Sequence, residues 1–142
     1  RYHVAEFLVY VGQVLNKQQA FIIYCGAGKP AAVPREWAAL EEHGAAMNEA
    51  AGMVVSAHPR RYVFSATAKR NLFEEFKSLG GQGIEVHSGK CNKNDRLNYA
   101  LLGQHYGLLV SAGSEFHRLN DYSGGILGAC PELPDICRPV WE

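Results

Sequence analysis

Three short apolar runs, Met53–Ala57, Gly83–His87 and Leu108–Ser111, alternate with stretches of helical spacing, and this alternation is what most constrains the fold. Their starts lie about 25 to 30 residues apart, room for one helix and two turns each time. Two parallel strands need a crossover of that length, so the pattern predicts an α/β fold with a parallel sheet, open or part of a barrel. Ser65 reads as the cap of a helix from Ala66 to Leu79, with Leu72, Phe73, Phe76 and Leu79 on its apolar face and Gly80-Gly81 as its stop. Asn92 or Asn94 caps a further helix through Tyr106, with Leu97, Ala100, Leu101 and His105 expected on one face.

Upstream the spacing changes. His3–Leu15 and Lys17–Tyr24 read as two short helices, the second capped by Asn16, with Gln19 as its capping-box partner and Gly26 as its stop. Glycine and proline make residues 26–34 a loop. A helix from Glu36 to about Ala51 presents Trp37, Leu40, Gly44 and Met47, with Trp37, Leu40 and Met47 expected to pack on the sheet. Residues 1–34 are therefore expected to form a small helical insertion, and residues 35–142 the α/β body. The Gly/Pro-rich tail after His117 reads as irregular.

Apolar residues make up 47% of the chain and charged residues 20%, enough for a packed core. Lys plus Arg and Asp plus Glu both number 14, which argues against a long duplex-binding surface but leaves room for a local anion pocket. No apolar run reaches the length of a spanning helix, so no membrane contact is expected. Arg1-Tyr2-His3 has neither signal-peptide character nor the usual initiator. The four cysteines, Cys25, Cys91, Cys130 and Cys137, form no CxxC pair. Cys130 and Cys137 could bridge, but the reading is that all are reduced and the compartment is cytoplasmic.

The chemistry-bearing residues gather at predicted strand ends. Ala57-His58-Pro59 follows the first strand, and Gly113-Ser114-Glu115-Phe116-His117 follows the third. Alone, His58 reads as a capping or hydrogen-bonding residue. Together, His58, Glu115 and His117 would bring two imidazoles and a carboxylate to one rim, ligand chemistry suited to a divalent metal. Glu85 and His87 flank Val86, so strand alternation puts them on one face, where they could add ligands or brace the ligands from behind, or Glu85 could simply be a polar residue in the barrel lumen. Lys29 stands in a glycine loop too short for a nucleotide P-loop, though still able to meet an anion. Arg60 and Arg61 could grip a phosphate bidentately or simply be solvated. His43 and His105 read as helix-surface or packing residues.

Six pieces in order, Arg1-x-His3-x-Ala5, Gly28–Pro34 with Trp37, Ala57-His58-Pro59-x-Arg61-Tyr62, Ile84-Glu85-Val86, Ser111–His117 and Pro139-Val140-Trp141, resemble the second half of the PHP (polymerase and histidinol phosphatase) superfamily. Within it the resemblance is to the branch of nucleoside 3′,5′-bisphosphate phosphatases and RNase AM-type 5′-to-3′ exoribonucleases. It implies a partial (β/α) barrel carrying divalent metals (manganese, zinc or magnesium) at the carboxyl ends of its strands. A metal-activated water would there hydrolyse nucleotide phosphates or RNA 5′ ends. By motif position the resemblance makes His58, Glu115 and His117 metal ligands, and Arg1, His3, Lys29 and Arg61 phosphate-facing residues. Two departures stand out: the resemblance expects Asp where Glu115 stands, and Gly where Arg60 stands. The His-x-His motif of the family's N-terminal half has no counterpart here. The implied activity is therefore expected to be impaired in this chain alone. A second reading, from a different class, is a non-catalytic half barrel that covers its edges with a partner chain, a second copy of itself or a missing N-terminal half.

Overall fold

A computed structural model describes residues 2–33, 38–117 and 125–142. The chain divides into two compact units, Arg1–Trp37 and Ala38–Glu142.

In the first unit, α1 spans Tyr2–Tyr10 and α2 spans Lys17–Ala20, continuing through a wider π turn at Phe21–Cys25. The expected helix to Leu15 stops at Tyr10, because the backbone turns left-handed at Gly12 (φ 74°). Asn16 caps α2 as expected, its Oδ1 accepting from the Gln19 amide at 2.9 Å. The reciprocal bond is displaced by one residue: the Leu15 amide, rather than that of Asn16, donates to Gln19 Oε1 at 2.7 Å. Ala5, Val14, Ala20 and Cys25 make a small core of their own.

The second unit is built on three parallel strands in the order β1 (Val55–Ser56), β2 (Gly83–Ser88), β3 (Leu109–Gly113). Parallel pairing, central β2 and helical crossovers agree with the α/β expectation. α3 (Leu40–Glu49) precedes the sheet, α4 (Ala66–Ser78) joins β1 to β2, and α5 (Lys93–Tyr106) joins β2 to β3. Ser65 caps α4 through its hydroxyl, which accepts from the Ala68 amide at 3.2 Å. Asn92, rather than Asn94, caps α5, accepting from the Asp95 amide at 2.8 Å.

Phe73, Phe76, Ile84, Val86, Tyr99, Ala100, Leu108 and Val110 form the core, which α4 and α5 close over the sheet. Gly103 lets α5 approach closely, since a Cβ there would stand 3.0 Å from Ile84 Cγ2 and 3.3 Å from Val110 Cγ2. Two expectations of packing need correction. Leu97, Leu101 and His105 are exposed, and α5 instead buries Tyr99, Ala100 and Gly103. Met47 is exposed, so α3 meets the core through Leu40. Glu36 and Trp37 lie outside the described residues.

The tail is not wholly irregular. Val110 donates to Arg138 O at 2.7 Å and Val140 donates to Val110 O at 3.0 Å, so the stretch around Pro139 lies parallel along β3. Leu133 and Cys137 pack against the core from the same segment. β1 is much shorter than its predicted run and forms the opposite edge of the sheet.

Phe76 is 6% exposed and stacks edge-on against Phe73. Phe76→Ala is expected to cost roughly 3–5 kcal/mol in urea unfolding. Leu101→Gln, on the exposed face of α5, should shift stability by only about 0.5 kcal/mol. A similar loss for both would mean that the buried face of α5 had been misjudged.

Candidate functional site

The carboxyl ends of the three strands form one rim, where open α/β sheets place their reactive groups. Two non-glycine residues on it hold left-handed backbone: His58 at φ 34° after β1, and Glu115 at φ 52° after β3. Such conformations cost about 1–3 kcal/mol each and persist only where neighbours enforce them.

Those neighbours are visible. The His58 amide donates to Glu85 Oε2 at 2.6 Å, and the His58 carbonyl accepts from the Arg61 amide at 2.9 Å. Tyr62 donates its hydroxyl to Ala57 O at 2.7 Å and sets its ring edge-on to the His58 imidazole. Glu115 Oε2 accepts from the Ser88 hydroxyl at 2.7 Å and from the Arg61 guanidinium. Glu85 and Glu115 flank the end of β3, for a Cβ at Gly113 would lie 3.4 Å from Glu85 Oε1 and 4.0 Å from the Glu115 amide. His58, Glu85, Arg61, Ser88 and Glu115 thus make one bonded rim.

Other predicted residues stand differently. The strands slip in register after Glu85, which pairs with Ser111 while His87 pairs with Ala112. This bulge at Val86 breaks the simple alternation that put Glu85 and His87 on one face. Glu85 reaches out to His58, whereas His87 is 4% exposed and both its ring nitrogens lack partners. Burial pushes the His87 pKa down, and the charges of Arg96 and Arg60 push it the same way. His117 is exposed beyond Glu115. His3 and Lys29 are exposed within the first unit, His3 Nδ1 lying 3.8 Å from Glu6 Oε2. Arg1 lies outside the described residues. His43 Nδ1 sits 3.0 Å from Ala39 O, and His105 lies edge-on to Tyr106, as surface helix residues do.

The rim has the donor chemistry for a divalent cation, including a buried His58 Nδ1 without a partner. Yet among the described residues no three His, Cys, Asp or Glu side chains come close enough to hold one metal ion. Arg61 already engages the Glu115 oxygen a cation would need. The described residues alone therefore do not make a complete metal site. Sequence reasoning had singled out Arg61 but not its pairing with Glu115, which joins residues 54 positions apart. Tyr62 stands in the motif that carries the resemblance but without a role, and Ser88 has no sequence signal beyond its adjacency to a strand end. A separate cleft of about 220 Å³, lined by Gln104, Gly107, Leu108, Val110, Ile136 and Arg138, lies toward the amino end of β3. The four cysteines are free thiols, and burial raises the pKa of Cys137 and, most strongly among its causes, that of Cys130. No helix among the described residues is long and apolar enough to cross a membrane.

Parallel strands that carry their carboxylates and histidines on one rim make an α/β fold of the kind that hosts many chemistries, and the comparisons with known proteins narrow the class. The chain is homologous over its whole length to nucleotide- and RNA-processing hydrolases. The 3′,5′-nucleoside bisphosphate phosphatase of Chromobacterium violaceum is 40% identical over all 142 residues. The 5′-3′ exoribonuclease of Haemophilus influenzae is 37% identical over 142 residues, and the Escherichia coli 5′-3′ exoribonuclease Rnm 33% identical over 141. The chain spans about half the length of these relatives: 50%, 51% and 44% respectively. Among solved structures, an amidohydrolase from Chromobacterium violaceum with bound sulfate and no metal superposes with a TM-score of 0.78 at 40% identity. That match covers 98% of this chain and 48% of the other. A protein from Bifidobacterium adolescentis, assigned as a metal-dependent phosphoesterase, superposes with a TM-score of 0.71 at 25% identity, covering 95% of this chain and 47% of that one. No family model matches the chain. These relatives bear out the resemblance read from the motifs, and the region matched is the C-terminal half.

His87 yields a test of the rim's packing. Its folded pKa lies below the ordinary histidine value, so between the two the unfolded chain binds more protons. Stability is then complete above about pH 6.5 and is lost as pH falls from there toward the folded pKa. Urea midpoints measured at pH 7.5 and pH 5.5 should show this loss, and His87→Asn should reduce it.

Proposed function

We propose that this chain is the rim-bearing half of a metal-dependent phosphoesterase acting on nucleotide phosphates, with 3′,5′-bisphosphates or RNA 5′ ends as the substrate class. The observation that carries this reading is the strained pair His58 and Glu115 on one rim, His58 with a buried ring nitrogen lacking a partner. The chain that holds them aligns from end to end with hydrolases of phosphate esters. In this reading His58, Glu115 and His117 contribute ligands to a divalent metal, which when bound supplies charge neutralisation and an activated water. Glu85 positions His58 through its amide, and His87 packs behind that strand. Arg61 moves between Glu115 and a substrate phosphate, since a guanidinium serves either oxyanion. The working compartment is cytoplasmic, matching free thiols.

A cation of this kind needs four to six donors and an open position for water, more than His58, Glu115 and His117 provide. The remaining donors come from the half of the relatives' length that this chain does not span. The isolated chain is therefore expected to bind manganese or zinc loosely and to release little phosphate from adenosine 3′,5′-bisphosphate. Calorimetry with manganese and a phosphate-release assay check this, and submicromolar binding of two ions by the monomer would overturn it. Glu115→Gln should abolish the weak metal binding while leaving the fold intact.

A second reading has its own supporting observation. β1 offers only two residues of ladder and stands at the sheet's edge, which fits a module that pairs with another chain. Light scattering separates the two: a stable monomer across concentrations counts against self-pairing.

A further inference from the structure

The turn that carries His58 is held by two helices as well as by the rim. β1 contributes only Val55 and Ser56 to the ladder, so the sheet releases the chain before His58. His58 is left-handed (φ 34°, ψ 53°) and also precedes Pro59, whose ring pushes its predecessor toward extended backbone. The Pro59 side chain is fully buried. Its carbonyl accepts two donors, the Tyr62 amide at 3.1 Å and the Tyr99 hydroxyl at 3.1 Å. The first closes the 3₁₀ turn on itself. The second comes from α5, 40 residues away in the chain.

Tyr99 is 9% exposed and is itself engaged by a cation. Lys69, half-buried on α4, donates from Nζ to the Tyr99 oxygen at 3.3 Å and stands 5.9 Å from the centre of the ring. Among the described residues Lys69 has no carboxylate within ion-pairing distance. An ammonium that donates to a phenolic oxygen polarises the O–H, which then donates more strongly to its own acceptor. Lys69, Tyr99 and Pro59 O thus make a chain of two hydrogen bonds running from α4 through α5 to the turn. The Tyr62 hydroxyl, by contrast, donates to Ala57 O within the same loop and brings in no other element.

We propose that Lys69 and Tyr99 are positioning residues for the rim, holding the turn through the Pro59 carbonyl so that the His58 ring keeps its place there. That His58 is then a metal ligand rests on the phosphoesterase reading, whereas the hold on the turn does not. Glu85 fixes the amide of His58, and Tyr99 fixes the carbonyl one residue on. Left-handed backbone before a proline persists only under such restraint from more than one neighbour. Without the hydroxyl, Pro59 O keeps only the Tyr62 amide, and the turn loses its tie to the helices.

The test uses the full 142-residue chain, with amide hydrogen exchange and a zinc titration followed at the His58 ring by NMR. Tyr99→Phe keeps the aromatic ring and removes the hydroxyl. The Arg61 and Tyr62 amides, which donate to His58 O and Pro59 O, should exchange about fivefold to tenfold faster in this variant. Amides of β2 and β3 should keep their protection. The His58 ring signals should shift before any metal is added, and zinc affinity read at that ring should fall about tenfold. Lys69→Met should speed the same two amides about twofold, and Lys69→Arg should restore wild-type exchange. The double variant should exchange no faster than Tyr99→Phe alone, because Lys69 acts through the hydroxyl. Should Tyr99→Phe not fold, the two Lys69 variants carry the same test. Unchanged exchange at Arg61 and Tyr62, acceleration spread evenly over β2 and β3, or zinc binding at His58 equal in wild type and variant overturns the proposal. If zinc leaves the wild-type His58 ring unmoved while the exchange pattern and the metal-free ring shift appear, the positioning stands and the ligand role of His58 falls.

Discussion

One carboxylate oxygen, Glu115 Oε2, joins the ends of all three strands. It takes the Ser88 hydroxyl from the end of β2 and the Arg61 guanidinium from the turn after β1, while Glu115 itself follows β3. A parallel ladder stops at its last paired residue, and past that point nothing in the sheet dictates where the chain goes. The rim depends on this shared acceptor for its shape. Without it, left-handed backbone at His58 and Glu115 would relax toward ordinary extended conformations, as strain of that size requires enforcement from several sides.

The core beneath makes that precision possible. α5 presses against β2 and β3 through Gly103, with Ile84 and Val110 in direct reach, so the strands end at fixed heights beneath their loops. The bulge at Val86 then redistributes the last residues of β2. It leaves Glu85 to brace His58, buries His87, and delivers Ser88 to Glu115. A regular strand would have put Glu85 and His87 side by side, and the rim would have had a different charge layout. The arginines divide in the same way. Arg61 is absorbed into the rim by Glu115, whereas the buried Nε of its neighbour Arg60 has no hydrogen-bond partner among the described residues.

The elements themselves were largely legible. Ser65 and Asn92 start their helices through side-chain caps, a local interaction that short sequence windows contain. Phe73 and Phe76 are buried as their spacing suggested. The face of α5 was not legible, because Leu97 and Leu101 are as apolar as any core residue, and only the position of the sheet decides that Tyr99, Ala100 and Gly103 face it. The pairing of Pro139 with β3 was hidden for a related reason: a single bridge leaves no periodicity, and proline discourages a strand reading. Of the candidate site, the strand-end positions of His58 and Glu115 could be read, since a strand followed by a turn fixes which end a residue occupies. Their partners could not.

By itself the sequence determined that this chain alternates strand and helix, that the strands run parallel, and that His58 and Glu115 end two of them. These follow from local spacing, capping and the length a crossover needs. Tertiary structure alone decided that Arg61 would meet Glu115 across 54 residues, that a bulge would separate Glu85 from His87, and that Ser88 would reach the same Glu115 oxygen. The reason is physical: hydrogen bonds and charge contacts between distant residues exist only once packing has set the strand ends in register, and nothing local encodes that register.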